Sequence, residues 1–229
     1  MDAPKNANGF SLIELLVGMA VAMMVIAAIF ASHRAQARSN LTQKKVTEMH
    51  QNARAAMFSM ERDIKSAGYD PTGATGAKIL VADDDQMVFT TDRNGDGNFT
   101  TGNPPPNHMD HNEMIKYSLT VDGNLGKSIS GGALLTVAEY IEVLNFVYLD
   151  ENGSRLGSLP LNPTDLALVR SVQITLIAKS GENVPVLMTK HSDNRTYTNQ
   201  QGDALLVNPN DTFRRIILTE NVKCRNLGL

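Results

Sequence analysis

Three short stretches carry side chains whose types and spacing could do chemistry. The first is Gly9-Phe10-Ser11-Leu12-Ile13-Glu14, a cleavage-like junction followed by a carboxylate, and the chain then stays apolar to Ala31 with Glu14 as its one ionisable group. A charge in such a run costs about 2.5 to 3.5 kcal/mol on membrane-insertion scales, which marks Glu14 as a functional position. The second is Thr91-Asp92-Arg93-Asn94-Gly95-Asp96-Gly97-Asn98-Phe99. Side-chain oxygens at alternate positions, with glycine at the bend, suit a hard cation such as Ca²⁺: Asp92, Asn94 and Asp96 would give side-chain oxygens and Asn98 its backbone carbonyl. The EF-hand pattern fails further on, where Asn103 replaces a bidentate glutamate, and an Asx-rich turn explains the same composition without metal. Asp83-Asp84-Asp85 would add carboxylates if it folds nearby, and also suits a solvated turn. The third stretch, His108, Asp110, His111 and Glu113, has metal-binding side chains but follows Pro104-Pro105-Pro106 and reads as a surface loop. Without a nucleophile motif, a Gly-rich phosphate loop or a cysteine pair, the sequence points to no enzyme.

The elements that must position these residues follow from periodicity. Residues 10–31, roughly 22 in number, would span a bilayer core of ~30 Å as a helix with ~1.5 Å rise per residue. A secretory signal peptide would place its small residue after the apolar core, whereas Gly9 lies before it. Neither proline nor glycine occurs between Gly18 and Gly68, so the helix continues. Beyond Ala31, apolar Val46, Met49, Ala53, Met57, Met60, Ile64 and Ala67 recur three or four apart, one face of an amphipathic helix. Gly68 suits the helix end and Pro71 forbids continuation. Residues 10–67 would form one rod of ~85 Å. Arg62 and Asp63, beside Glu61 and Lys65, read as the solvated side of the stripe, and Met19, Met23 and Met24 as packing surface.

From Tyr69 the period changes. Residues 87–91, 115–121, 141–149, 172–178, 184–189 and 214–222 alternate or run apolar as strands do, with Asp122-Gly123 and Asn152-Gly153 as turn chemistry. The outward positions of 172–178, Gln173, Thr175 and Ile177, are partly apolar. Strands after one long helix imply an α+β domain, an antiparallel sheet laid against the helix. The formal net charge of −3 gives no reason to expect nucleic acid as a direct partner. The Gly/Pro/Asn-rich stretch 94–112 reads as a long loop. Cys224, the single cysteine, excludes an intrachain disulfide and reads as a buried small apolar residue.

The Gly9-to-Glu14 segment heading an apolar helix resembles the type IV prepilin family. That resemblance implies cleavage after Gly9 by a prepilin peptidase, N-methylation of the new N-terminal Phe10, and Glu14 neutralising the amine of a neighbouring subunit. It divides the chain into a leader at 1–9, a transmembrane and assembly helix at 10–31, an amphipathic continuation at 32–68 and a β-rich head at 69–229. Charge counting opposes the implied topology, since Lys5 alone precedes the span while Arg34, Arg38, Lys44 and Lys45 follow it. Three later patches resemble PilW-type minor pilins: residues 60–69 with Arg62-Asp63 and Ala67-Gly68-Tyr69, residues 169–176, and residues 214–227. The resemblance implies a pilin-like fold, an inner-membrane protein with an exported head, and a role in initiating or capping a pilus filament. Its implied partners are other pilins and minor pilins, the peptidase, the inner-membrane assembly platform and the lipid bilayer. The absence of a helix-breaking proline and of a two-cysteine loop turns the resemblance away from major pilins. A J-type minor pseudopilin of a type II secretion system and a pilin-anchored Ca²⁺-dependent adhesin remain as alternatives.

Overall fold

The computed structural model describes residues 9–97, 113–181 and 192–228. Helix α1 runs from Leu12 to Lys65, 54 residues. By contact density the chain divides into two units, one ending at Lys44 and one beginning at Lys45.

In the first unit every described side chain from residue 9 to 41 is exposed. Those side chains include Leu12, Ile13, Leu15, Leu16, Val25 and Ile26, so the unit has no core of its own. Its apolar residues run all round the helix, the pattern of a segment whose partners are lipid or other chains. The stretch is long and apolar enough to cross a membrane.

In the second unit α1 buries one stripe. Met49, Ala53, Ala56, Met57, Met60, Ile64 and, just past its end, Ala67 are buried, at the three- and four-residue spacing expected, with Val46 half-buried beside them. Asp63 departs from expectation: it belongs to this buried stripe, at 0% exposure, and not to the solvated face. Its place follows from spacing, three residues after Met60 and four before Ala67.

The stripe faces two antiparallel sheets. The first is a meander of β1 (Ile79–Ala82), β2 (Gln86–Thr90), β3 (Met114–Leu119), β4 (Leu125–Ile129) and β5 (Leu135–Ala138), paired in that order. The second joins β6 (Ile141–Leu149), β7 (Ser171–Lys179) and β10 (Arg215–Lys223) in the order β10-β7-β6. A two-stranded ribbon, β8 (Thr196–Thr198) with β9 (Ala204–Val207), lies between β7 and β10 in sequence. A short helix, α2 (Pro163–Leu168), is capped by the Asn162 side chain, which accepts the Thr164 and Asp165 amides.

Alternate residues point inward: Met87 and Phe89 on β2, Ile115 and Tyr117 on β3, Phe146 and Tyr148 on β6, and Val172, Ile174 and Leu176 on β7 join the helix stripe in one core. The strands expected at 87–91, 115–121, 141–149, 172–178 and 214–222 correspond to β2, β3, β6, β7 and β10 within a residue or two. The strand expected at 184–189 lies outside the described residues. The expected antiparallel sheet structure is present, divided into two sheets, and the break falls at Tyr140. This residue takes a left-handed φ of 59° and gives its amide to the Asn124 side chain at 3.1 Å, so the chain leaves the first sheet and enters the second. The partly apolar outward face of β7 also has its cause. Asn199 and Gln201, between β8 and β9, donate to Asn145 of β6 and Gln173 of β7, and Val147, Thr175 and Ile177 are buried on that face.

Helix α1 closes where expected. Gly68 has φ of 76° and donates its amide to Thr90 O at 3.0 Å, while Asn226 donates to Lys65 O at 3.2 Å. A Cβ on Gly68 would lie 2.3 Å from Leu227 Cδ2. Gly73 has φ of 66° but open space around it. We therefore expect Gly68→Ala to cost about 2 kcal/mol or more, left-handed strain plus displacement of Leu227, and Gly73→Ala to cost about 1 kcal/mol, strain alone. Thermal unfolding of the two variants in detergent reads the difference; equal losses would remove the role assigned to the Leu227 contact.

Candidate functional site

The cleavage-like junction lies outside the helix. Gly9 and Phe10 are non-helical and exposed, Phe10 at 89%. Ser11 O accepts the first intrahelical bond, from the Leu15 amide at 3.2 Å, which makes Ser11 the N-cap. The Ser11 amide donates to Glu14 Oε2 at 2.9 Å, and the Glu14 amide donates to Ser11 Oγ at 3.3 Å. These reciprocal bonds form a capping box. They hold the Glu14 carboxylate at the positive end of the helix dipole, one turn from Phe10.

The aspartate-rich loop is a compact turn. Asp92, fully buried, accepts the Gly95 amide at 2.7 Å and the Gly97 amide at 3.1 Å. Asn94 uses its amide group on Asp96, donating to Oδ2 and accepting the Asp96 backbone amide, both at 2.9 Å. Carboxylate oxygens of Asp92, Asp96 and Glu113 lie within 4.8 Å of one another. Of the four ligands expected from sequence, Asp92 and Asp96 are thus brought together, Asn94 faces Asp96, and Asn98 lies outside the described residues. Glu113 was expected in a surface loop; it is buried and accepts the Arg93 amide at 3.0 Å. Its companions His108, Asp110 and His111 lie outside the described residues. Asp83, Asp84 and Asp85 form a separate acidic group, where burial and then its two neighbours push the Asp84 carboxyl above its ordinary value.

Asp63 joins this loop to the helix. Its Oδ1 accepts Arg93 Nη2 at 3.1 Å, and its Oδ2 accepts Tyr117 Oη at 2.8 Å and Lys127 Nζ at 2.5 Å. Burial pushes its carboxyl up, but the bonds from Lys127 and Tyr117 and the charges of Lys127 and Arg93 outweigh it, leaving the group below its ordinary value. Burial raises the Tyr117 phenol, which also meets Ser59 at 3.0 Å. Helix α1 is thereby pinned to β3, β4 and the aspartate-rich loop at one carboxylate.

A second buried charge cluster secures the ribbon. The fully buried Arg215 side chain donates to Glu142, Asp211 and Asp193, and Asp193 also accepts from Arg195 and Tyr197. Cys224 is buried as expected, and burial pushes its thiol up to about 12.

The fold and the N-terminal site define a pilin-like protein. Of six solved chains that match, a type IV-like pilin from Thermus thermophilus shares the fold at 16% identity, with 79% of this chain and 98% of that one covered and a TM-score of 0.50. Residues 4–30 match the prokaryotic N-terminal methylation motif, and residues 42–196 match the family described as prepilin peptidase-dependent protein B. This chain belongs to the prepilin peptidase-dependent protein B family. Among curated proteins, none matches it in sequence.

Removing the Asp63 charge tests the pin. Asp63→Asn leaves the largely buried Lys127 without its anion, a loss of about 3 kcal/mol, with a smaller part from the more exposed Arg93. Because the folded carboxyl titrates below its ordinary value of 3.8, its contribution is present above that pH and fades as pH falls below it. Stability of the wild type should therefore drop more steeply than that of Asp63→Asn below pH 3.8, as read by thermal unfolding across pH. Parallel curves would show that Asp63 carries no net stabilisation.

Proposed function

We propose that this chain is a minor pilin of the PilW type, anchored by residues 12–31 in the inner membrane with its head exported. The leader is cut after Gly9 by the prepilin peptidase, Phe10 becomes the methylated N-terminus, and the subunit enters a filament that it helps to initiate or cap. The observation that carries this reading is an exposed, all-round apolar helix that starts two residues after a non-helical Gly9-Phe10 junction and holds a single carboxylate in its first turn. Such a helix is stable only against lipid or other apolar helices.

Glu14 sets the axial register in this scheme. In low dielectric an unpaired carboxylate or amine is penalised by about 3 to 5 kcal/mol, so an incoming subunit is favoured only where its Phe10 amine meets the carboxylate of its neighbour. Its other partners are the assembly platform and sister pilins. Glu14→Ala is expected to leave leader cleavage intact, as read by the mass of the mature N-terminus, and to abolish recovery of the chain in sheared filaments. Normal recovery would refute the register role.

The convergence of Asp92, Asp96 and Glu113 favours a second reading for the loop, a Ca²⁺ site that stabilises the head or serves adhesion. Glu113, reaching in from the start of β3, supplies the carboxylate that the local sequence lacks at Asn103. Titration calorimetry of the full chain in detergent should then give Ca²⁺ binding heat that Glu113→Gln abolishes; no heat at millimolar Ca²⁺ sinks this reading.

A further inference from the structure

We infer that Ser11 is the positioning residue for assembly: it ends the helix at the processing junction and holds the Glu14 carboxylate where a subunit amine can reach it. This rests on the assembly role proposed for Glu14.

The first turn of any α-helix leaves amide groups without intrahelical acceptors. In a segment destined for lipid no water is at hand to satisfy them, so each costs several kcal/mol of desolvation. Here the Ser11 and Glu14 amides are satisfied reciprocally, at 2.9 and 3.3 Å, by Glu14 Oε2 and Ser11 Oγ. The carboxylate that must pair with an amine is therefore already held by one of its two oxygens. Its Oε1 keeps acceptor capacity for a second donor, since a carboxylate offers about four lone-pair positions.

Cleavage preserves this arrangement. Breaking the Gly9–Phe10 bond turns the Phe10 amide into an ammonium but leaves the Ser11 amide, its hydroxyl and Glu14 covalently unchanged. The box therefore holds Glu14 in the precursor and in the mature chain alike, and the amine appears one residue before a cap already formed. Alanine at position 11 removes the side-chain acceptor. Alanine also favours helix more strongly than serine, so the first turn would extend through Phe10. Glu14 would then lie deeper in the helix, its Oε2 no longer tied to the residue-11 amide.

Two measurements on the full chain test this. In detergent, hydrogen exchange at the Ser11 amide should speed up about fivefold in Glu14→Ala, and that at the Glu14 amide about fivefold in Ser11→Ala, the size expected for losing an N-cap. Unchanged rates would show that the box does not persist and would overturn the proposal. In the native host, with membrane levels and leader cleavage measured for each variant, Ser11→Ala should lower recovery in sheared filaments about fivefold or more. Ser11→Thr, which keeps the hydroxyl, should restore it. Wild-type recovery of Ser11→Ala beside a defective Glu14→Ala overturns the role of Ser11 while sparing that of Glu14. Wild-type recovery of Glu14→Ala overturns the assembly reading itself.

Discussion

The constraint on which the chain depends is that the first half of its long helix cannot be buried by the chain that carries it. Every described side chain from residue 9 to 41 is exposed. Water would penalise that surface at about 25 cal/mol per Å², so its stable environment must come from elsewhere. A bilayer and a bundle of like helices both meet the requirement, since both present apolar surface. That common property would let one helix serve as membrane anchor and, in the assembly proposed above, as filament core, and it would make Glu14 the point at which the two environments differ: bilayer hydrocarbon supplies no ammonium, whereas a neighbouring subunit would bring its Phe10 amine.

The second half of the helix solves a different problem with the same chemistry. Its stripe is apolar except for Asp63, and besides its neighbour Arg62 at 3.6 Å the cations that meet it come from β4 and from the loop after β2. Apolar packing tolerates a slide of the helix by a turn far better than a buried carboxylate does, because sliding would leave Asp63, Lys127 and Tyr117 unsatisfied. A buried pair of this kind adds little net stability over an apolar contact, and its use is to select one register from several. Arg93 extends the effect, since its backbone amide meets Glu113 while its guanidinium meets Asp63.

How much of this was legible in the sequence follows from the range of each interaction. The helix, its stripe, its end at Gly68 and the longer strands rest on local periodicity and turn chemistry, and they emerged. The capping box is present as Ser11 and Glu14 at the required spacing, and α2 as Asn162-Pro163 with Asp165, yet both signals are too short to stand out from chance matches in the sequence. Asp63 is acidic by type but core by position. Counting three from Met60 and four to Ala67 puts it inside the stripe. Its partners could not be foreseen, since Tyr117 and Lys127 stand 54 and 64 residues away. Glu113 beside Asp92, Tyr140 as the corner between two sheets, and Arg215 as the anchor of the ribbon are likewise products of tertiary pairing that no local pattern encodes.

The two ends of α1 are closed in opposite ways, and the difference has a kinetic meaning. The N-terminus is capped by residues three apart, the C-terminus by an asparagine 161 residues further along and by a leucine beside it. A local cap forms as soon as its residues exist, so the apolar half can insert as a helix, with Glu14 held, before any head is present. The distal end has no such independence. Its closure needs Thr90, Asn226 and Leu227 in place, which requires segments far apart in sequence to have come together. The part of the helix that has no core of its own is therefore the part whose cap depends on nothing outside itself.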